Sequence, residues 1–392
     1  MTESRVHPDD LLGIDDLLSD DERAVRAAAR EFTRRSIGPH IAEWFEAGGI
    51  PTMREIAREL GRLGALGMHL RGYGCAGLSA TEYGLTCAEL EAGDSAIRSF
   101  VSVQGSLAMY AIWRYGSEVQ KQQWLPTMAT GEAIGCFGLT EPDHGSDPGS
   151  MRTTAAREGD DWILRGRKAW ITNGSIADLA IVWARTDNGI RGFVAPTSVP
   201  GFAAPEIKRK LSLRASVTSE LALDDVRLPS SAELPLARGL SAPLSCLNEA
   251  RYGIVWGAMG AARSAFEAAL EYAKARTQFG KPIGGFQLTQ AKLVDMAVEL
   301  NKGLLLALHL GRRKDAGTLA AEQVSFGKLN NTRAALDICR TARGVLGANG
   351  ISLEFPVIRH MANLESVLTY EGTVEMHTLV LGQALTGLAA FR

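Results

Sequence analysis

The hydrophobic repeat of this chain changes period twice, and that double switch restricts its architecture more than any other feature. From about Leu18 to Met128 the apolar residues recur at helical spacing. A Ser19-Asp20-Asp21-Glu22 capping box opens a helix with Val25, Ala29 and Phe32 on one face, Gly48-Gly49-Ile50-Pro51 interrupts, and Met53, Ile56, Leu60 and Leu63 begin another. Between about Gly135 and Pro229 the texture becomes short runs of Val, Ile, Trp and Thr between turn residues. W-I-L-R-G, K-A-W-I-T-N-G, L-A-I-V-W-A-R and R-G-F-V-A-P read as consecutive strands joined at Gly166, Asn173-Gly174 and Asp187-Asn188-Gly189. The helical period then returns. Ile254, Gly257, Ala258, Ala261 and Ala265 form a small-residue face suited to close packing, and Leu293, Met296, Ala297, Leu300 and Leu304 form a second core stripe. The expected class is α+β: an all-helical domain over residues 1–133, a middle β-barrel or sandwich domain over 134–240, and a four-helix bundle over 241–392.

Composition narrows the function. Lys plus Arg total 42 against 44 for Asp plus Glu, a net charge of -2, so no global field would hold a nucleic-acid backbone. The five cysteines are scattered without a C-x-x-C pair and read as buried thiols in a reducing compartment. No H-x-x-x-H or H-E-x-x-H suggests a metal. The N terminus lacks the order of a signal peptide and no apolar run approaches a membrane span, so a cytoplasmic location is expected.

Four blocks carry chemistry. In Tyr370-Glu371-Gly372-Thr373, a carboxylate beside a glycine suits a proton-abstracting base. It equally suits a helix start, with Thr373 as N-cap and Glu375 in the first turn. In the block from Cys136 to Met151, Gly138, Thr140, Gly145 and Ser146 make a polar loop able to bond a heterocycle edge and a pyrophosphate, or simply a turn-rich start to the β region. Trp170, in K-A-W-I-T-N-G, reads as core packing of a strand. In R-T-Q-F-G-K-P-I, Arg276 and Gln278 read as exposed residues ending a helix that Gly280 and Pro282 stop.

These blocks, in this order and at these intervals, closely resemble the acyl-CoA dehydrogenase family, and within it the glutaryl-CoA dehydrogenase branch, from about Asp16 to Phe391. The resemblance implies FAD as cofactor. It assigns Phe137, Gly138, Leu139, Thr140, Gly145 and Ser146 to flavin binding, with Ser146 also facing the acyl-CoA. It places Trp170 against the flavin together with Ile171, and Thr172 near flavin N5. Arg276, Gln278 and Phe279 would serve the pyrophosphate and adenine side, with Gln287 and Gly344, Val345, Leu346, Gly347 and Ala348 reaching in from other subunits of a homotetramer. Thr373 also falls among the cofactor positions.

For the substrate, Leu244 to Arg251 resembles the segment lining the pantetheine channel, with Asn248 and Arg251 as polar contacts, or else a solvated helix N terminus. Glu371 would be the α-proton base, its pKa raised by burial. The alternative base position of some relatives is Ala250 here, which cannot serve, although Glu249 beside it is acidic. Arg98 and Ser99 would meet a distal carboxylate in a pocket shared with Glu91, Thr172 and Tyr370, beside Gly372. Asp94 is an alternative partner for Arg98 in a structural ion pair.

The implied reaction is oxidation of glutaryl-CoA with loss of CO2 to give crotonyl-CoA, electrons leaving to electron-transfer flavoprotein. A-I-R-S, E-G-T-V-E-M-H and G-A-N-G stand where that branch commonly has G-Y-R-S, E-G-T-H-D-I-H and G-G-N-G. Other short or dicarboxylic acyl-CoA thioesters, non-decarboxylating oxidation of glutaryl-CoA and an acyl-CoA oxidase remain open alternatives. A DNA-binding relative on the same fold is disfavoured by the near-neutral charge.

Overall fold

A computed structural model describes residues 7–8 and 10–390; most of the stretch bearing on a signal peptide, residues 1–6, lies outside it. The helical first third is built from α1 (Asp20–Phe32), α2 (Ile41–Ala47), α3 (Met53–Arg62), α4 (Ala80–Gly93), α5 (Ser95–Ser102), α6 (Tyr110–Tyr115) and α7 (Glu118–Ala129). The Ser19 capping box is present, with Ser19 Oγ accepting from the Glu22 amide, and Gly48 ends α2 in the left-handed conformation. A π-helical segment, Val103–Met109, joins α5 to α6. Helix α4 is buried almost all round, so its acidic residues need buried partners. Glu89 finds two, Arg30 at 3.0 Å and Arg263 at 2.6 Å.

The middle of the chain contributes β1 (Gly135–Gly138), β2 (Thr154–Glu158), β3 (Asp161–Thr172), β4 (Leu179–Thr186), β5 (Gly189–Pro196), β6 (Phe202–Ala203) and β7 (Thr218–Pro229). They form one mixed sheet in the order β1-β4-β2-β3-β7-β6, with β5 added on β4. The two runs expected to meet in a turn at Gly166 are instead the single strand β3, whose pairing with β7 shifts register at Leu164/Gly166 and again at Lys168/Ile171. Gly166 has φ 146°, and a Cβ there would lie 2.6 Å from Thr153 Oγ1, so glycine absorbs the irregularity without leaving the ladder. The Asp187-Asn188 hairpin between β4 and β5 forms as read.

The last third comprises α8 (Ser241–Ala275), a small hairpin of β8 (Thr277–Gln278) and β9 (Lys281–Pro282), α9 (Gln287–Asp315), α10 (Ala321–Leu346), α11 (Val357–Thr369) and α12 (Val374–Thr386). At 1.5 Å per residue the 35 residues of α8 extend about 52 Å. The helix packs on α4, where Gly253, Gly257 and Gly260 permit close approach, and on α9, α10 and α11. Among the described residues no helix is long and apolar enough to cross a membrane.

Candidate active site

Four elements converge on Glu371. Helix α11 stops at Thr369, and α12 starts after its N-cap Thr373, whose hydroxyl accepts from the Met376 amide at 3.3 Å. The helix-start reading of this segment is therefore correct, and it is compatible with a second role for the residue between the helices. Glu371 has φ 56°, a left-handed conformation costing a non-glycine residue about 1–3 kcal/mol. Gly372 follows with φ 102°; a Cβ there would sit 2.8 Å from His377 Nε2.

The turn is tied down from outside. Arg251 Nε on α8 donates to the Glu371 carbonyl at 2.7 Å, and its Nη1 donates to Asn248 Oδ1 at 3.0 Å. Lys328 Nζ on α10 donates to the carbonyls of Tyr370 and Gly372, each at 2.6 Å. Glu371 Oε2 is buried without a hydrogen-bond partner. Burial raises the Glu371 carboxyl above its ordinary value, opposed by the positive charges of Arg98, Lys328 and Arg251 and reinforced by Glu91.

Beside this carboxylate lies a second group. Arg98 on α5 is fully buried, and its Nε donates to Glu91 Oε2 on α4 at 2.6 Å. Its Nη2 donates to the Tyr370 hydroxyl, which also lies 3.2 Å from Ser99 Oγ. Burial opposes the guanidinium charge, but Glu91 and Tyr370 more than restore it, so Arg98 stays charged. Arg98 Nη1 and Glu91 Oε1 are buried without partners. A donor of this kind invites an anionic ligand, because leaving it unpaired is costly.

Asp94 is not the partner of Arg98. It caps α5, accepting from the Ala96 amide at 2.7 Å, and takes Arg359 Nη1 at 2.5 Å and Asn363 Nδ2 at 2.9 Å. The spacing of four fails because α4 ends at Gly93 and Asp94, in extended conformation, is the N-cap of α5 and not a helical residue, so the two do not share a helix face. Thr172 closes β3 opposite Thr218, outside the hydrogen-bonded group around Arg98. Ala250 is buried and Glu249 turns away to Lys314, 2.8 Å distant.

Gly257, read as a packing glycine, has a more specific reason. A Cβ on it would lie 1.9 Å from Glu91 Oε2 and 3.2 Å from Arg98 Nε. Gly257→Ala is expected to push Glu91 off Arg98, at a cost of about 1–3 kcal/mol. A lowered melting temperature, with acyl-CoA turnover impaired most for carboxylate-tailed thioesters, checks this.

The positions matched to FAD fall into two groups. Near β1 and β3, Phe137, Leu139 and Ile171 are buried, and Phe137 packs on Trp183 at 6.0 Å, so only their backbones can face a ligand. Gly138 closes β1, the Thr140 carbonyl accepts from Ala169 at 2.9 Å, and Gly145 and Ser146 are exposed. A buried ion pair missed in the sequence, Lys168 to Glu141 at 2.9 Å, clamps this loop to β3, with Glu141 also accepting from the amides of Arg152 and Thr153.

Trp170 is not core. Its φ of 60° at the second bulge of β3 turns the ring outward, 62% exposed. Phe279, with φ 50° in the β8–β9 hairpin, is 94% exposed. Two large aromatics set in solvent by left-handed backbone fit an extended, partly aromatic ligand such as FAD.

The second group gathers at the far end of α8. Arg276 follows its last residue, Gln278 lies in the hairpin and Gln287 opens α9. Asn349, just past Gly347 and Ala348, donates to Tyr272 Oη at 3.1 Å. Gly344 is exposed, whereas Val345 and Leu346 pack into the bundle core. Twenty-five residues of α8 separate Arg276 from Arg251, about 37 Å along the axis, so one chain holds this group well away from Glu371.

Family models for the N-terminal, middle and C-terminal domains of acyl-CoA dehydrogenase match residues 19–132, 136–226 and 237–386. The chain is 35% identical over 359 residues to the human mitochondrial short-chain specific acyl-CoA dehydrogenase, covering 90% of this chain and 87% of that one. It therefore belongs to the acyl-CoA dehydrogenase family and is an FAD-dependent oxidoreductase. Among solved structures it is similar to glutaryl-CoA dehydrogenase from Mycobacterium smegmatis, with 69% identity, TM-score 0.97 and coverage of 99% of this chain and 100% of that one. A second glutaryl-CoA dehydrogenase from that organism, in complex with FADH2, matches at 62% identity and TM-score 0.97 over 99% of this chain and 100% of that one.

Proposed function

We propose that this enzyme oxidises glutaryl-CoA and releases CO2, giving crotonyl-CoA. The observation that carries the reading is the unpartnered, fully buried Arg98 Nη1, grouped with Ser99 and Tyr370 beside the free carboxylate oxygen of Glu371. A thioester with a carboxylate at its far end satisfies both. Its distal anion completes the Arg98 donor set, and its α-hydrogen lies against Glu371. The similarity to the glutaryl-CoA dehydrogenases of Mycobacterium smegmatis supports this choice of substrate.

Glu371 takes the α-proton; its raised pKa brings the base closer to the acidity of the carbon acid it must serve. Bound FAD would supply the two-electron acceptor for the hydrogen leaving Cβ. The product is an α,β-unsaturated thioester with the distal carboxylate still attached. Loss of that carboxylate as CO2 leaves an electron pair delocalised onto the thioester carbonyl as a dienolate, and protonation at Cγ gives crotonyl-CoA. The Arg98 group steers the carboxylate, and Tyr370, raised to about 12, chiefly by burial, stays a neutral donor.

The FAD positions near β1 and β3 and those at the far end of α8 are read as two halves of one cofactor site completed by a second chain in a homotetramer. Electron-transfer flavoprotein is the proposed acceptor, in the cytoplasm. Anaerobic addition of glutaryl-CoA is expected to bleach the flavin absorbance and, with an artificial acceptor, to release one CO2 per turnover. Brisk turnover of a monocarboxylic acyl-CoA with no CO2 from glutaryl-CoA would sink the decarboxylating reading.

A further inference from the structure

Lys328 lies 43 positions before Glu371, in V-S-F-G-K-L-N-N on α10, and none of the four sequence blocks includes it. Its side chain is buried, and both of its hydrogen bonds go to main-chain carbonyls on either side of Glu371. Arg251 takes the carbonyl between them. Three consecutive carbonyls, of Tyr370, Glu371 and Gly372, thus end on two cations from two different helices.

A left-handed glutamate with such a set of ties cannot relax toward ordinary backbone without leaving part-buried carbonyls unpaired. We infer that Lys328 is the positioning residue of this site: it locks the strained turn that presents Glu371 and, through its charge, favours the ionised carboxylate that abstracts the proton. The proposal rests on the reading of Glu371 as base.

The groups around the carboxylate can be named element by element. Glu91 on α4 and Arg98 on α5 face it from the first third of the chain, Arg251 from α8, Lys328 from α10, and Tyr370 and His377 flank the turn itself. His377 is held down to about 3, first by burial and then by Lys328 and Arg251, so it is neutral and supplies no competing charge. Burial lowers Lys328 to about 7, against the pull of Glu371 and with the push of Arg251 and Arg98. Even after losing its proton the amine keeps two N–H donors for its two carbonyls, so the geometric lock outlasts the charge.

Charge and geometry are separable by substitution. Lys328→Gln keeps N–H donors and removes the charge, whereas Lys328→Arg keeps the charge at every pH. The probe is a 3-thia-acyl-CoA, whose sulfur in place of Cβ blocks oxidation, so the long-wavelength band it gives with the flavin reports α-deprotonation alone. Because a nearby cation favours the carboxylate, its loss moves the acid limb upward. In Lys328→Gln the pH midpoint of the band is expected to rise by roughly 1 unit or more, while in Lys328→Arg it stays at or below the wild-type value.

FAD content and melting temperature, measured alongside, separate this from general destabilisation, which would lower both without moving the midpoint. A wild-type midpoint in a flavin-replete Lys328→Gln protein, or an equal rise in both variants, overturns the proposal. If Lys328→Gln does not retain flavin, a raised midpoint in Lys328→Arg by itself overturns it. A band that survives Glu371→Gln refutes the base assignment, and this proposal with it.

Discussion

Glu371→Gln is expected to lower the rate of substrate-driven flavin bleaching by roughly 10²–10⁴-fold, the usual worth of a positioned general base, while FAD and acyl-CoA still bind. The substitution is nearly isosteric, so it keeps the turn that Arg251 and Lys328 hold through the main chain. It removes the carboxylate whose Oε2 is buried without a partner. Stopped-flow absorbance under anaerobic conditions, with ligand binding measured in parallel, checks the result. Near-normal bleaching would reject Glu371 as the base; Glu91, the other carboxylate facing this point, is held by Arg98. Ala250 has no titratable atom, and Glu249 is occupied by Lys314.

The second large effect concerns the distal pocket. Arg98→Gln is expected to reduce kcat/KM for glutaryl-CoA by about 100-fold or more, because truncating one partner of a buried charge pair costs about 2–5 kcal/mol. Butyryl-CoA, of similar length without the carboxylate, should lose much less. Part of the glutaryl-CoA loss comes from leaving Glu91 buried without its cation, so the comparison between substrates, and not the absolute rate, is the measurement that decides. Equal losses for both substrates would make the Arg98–Glu91 pair a structural element. The loss should persist in a Glu91→Gln/Arg98→Gln double variant if the guanidinium acts on substrate.

The sequence carried the alternation of helical and strand segments plainly, because each stretch keeps one hydrophobic period over many residues. It also led to Glu91, Arg98, Ser99 and Tyr370, which the fold brings together from positions 272 residues apart in the case of Arg98 and Tyr370. Local backbone was less visible. Trp170 reads as a core strand residue by propensity, and only a left-handed bulge that no residue type announces turns it into solvent. The continuity of β3 through Gly166 was hidden for a related reason, since a glycine marks a bulge and a turn alike.

Lys328 was missed because a lysine on an amphipathic helix ordinarily faces water. One signal was available. Val324, Lys328, Asn331 and Ala335 follow the spacing of the inward face of α10, and all four are buried. A cation in register with apolar residues on such a stripe needs an internal partner. The partners here are main-chain carbonyls, which leave no trace in side-chain chemistry. Asp94 shows the converse: its spacing from Arg98 suggested a pair, but the helix break at Asp94 itself made it a cap of α5 and sent its carboxylate to Arg359 and Asn363.

The three tethered carbonyls also change the cooperative unit to which Glu371 belongs. A connection between two helices would ordinarily fray on its own, opening at little free-energy cost relative to the elements it joins. This one can open only if α8 and α10 part or two charged side chains withdraw together. The local opening of the turn is thereby raised toward that of the helical bundle itself, so thermal motion that loosens ordinary surface connections leaves the carboxylate in register with the bundle.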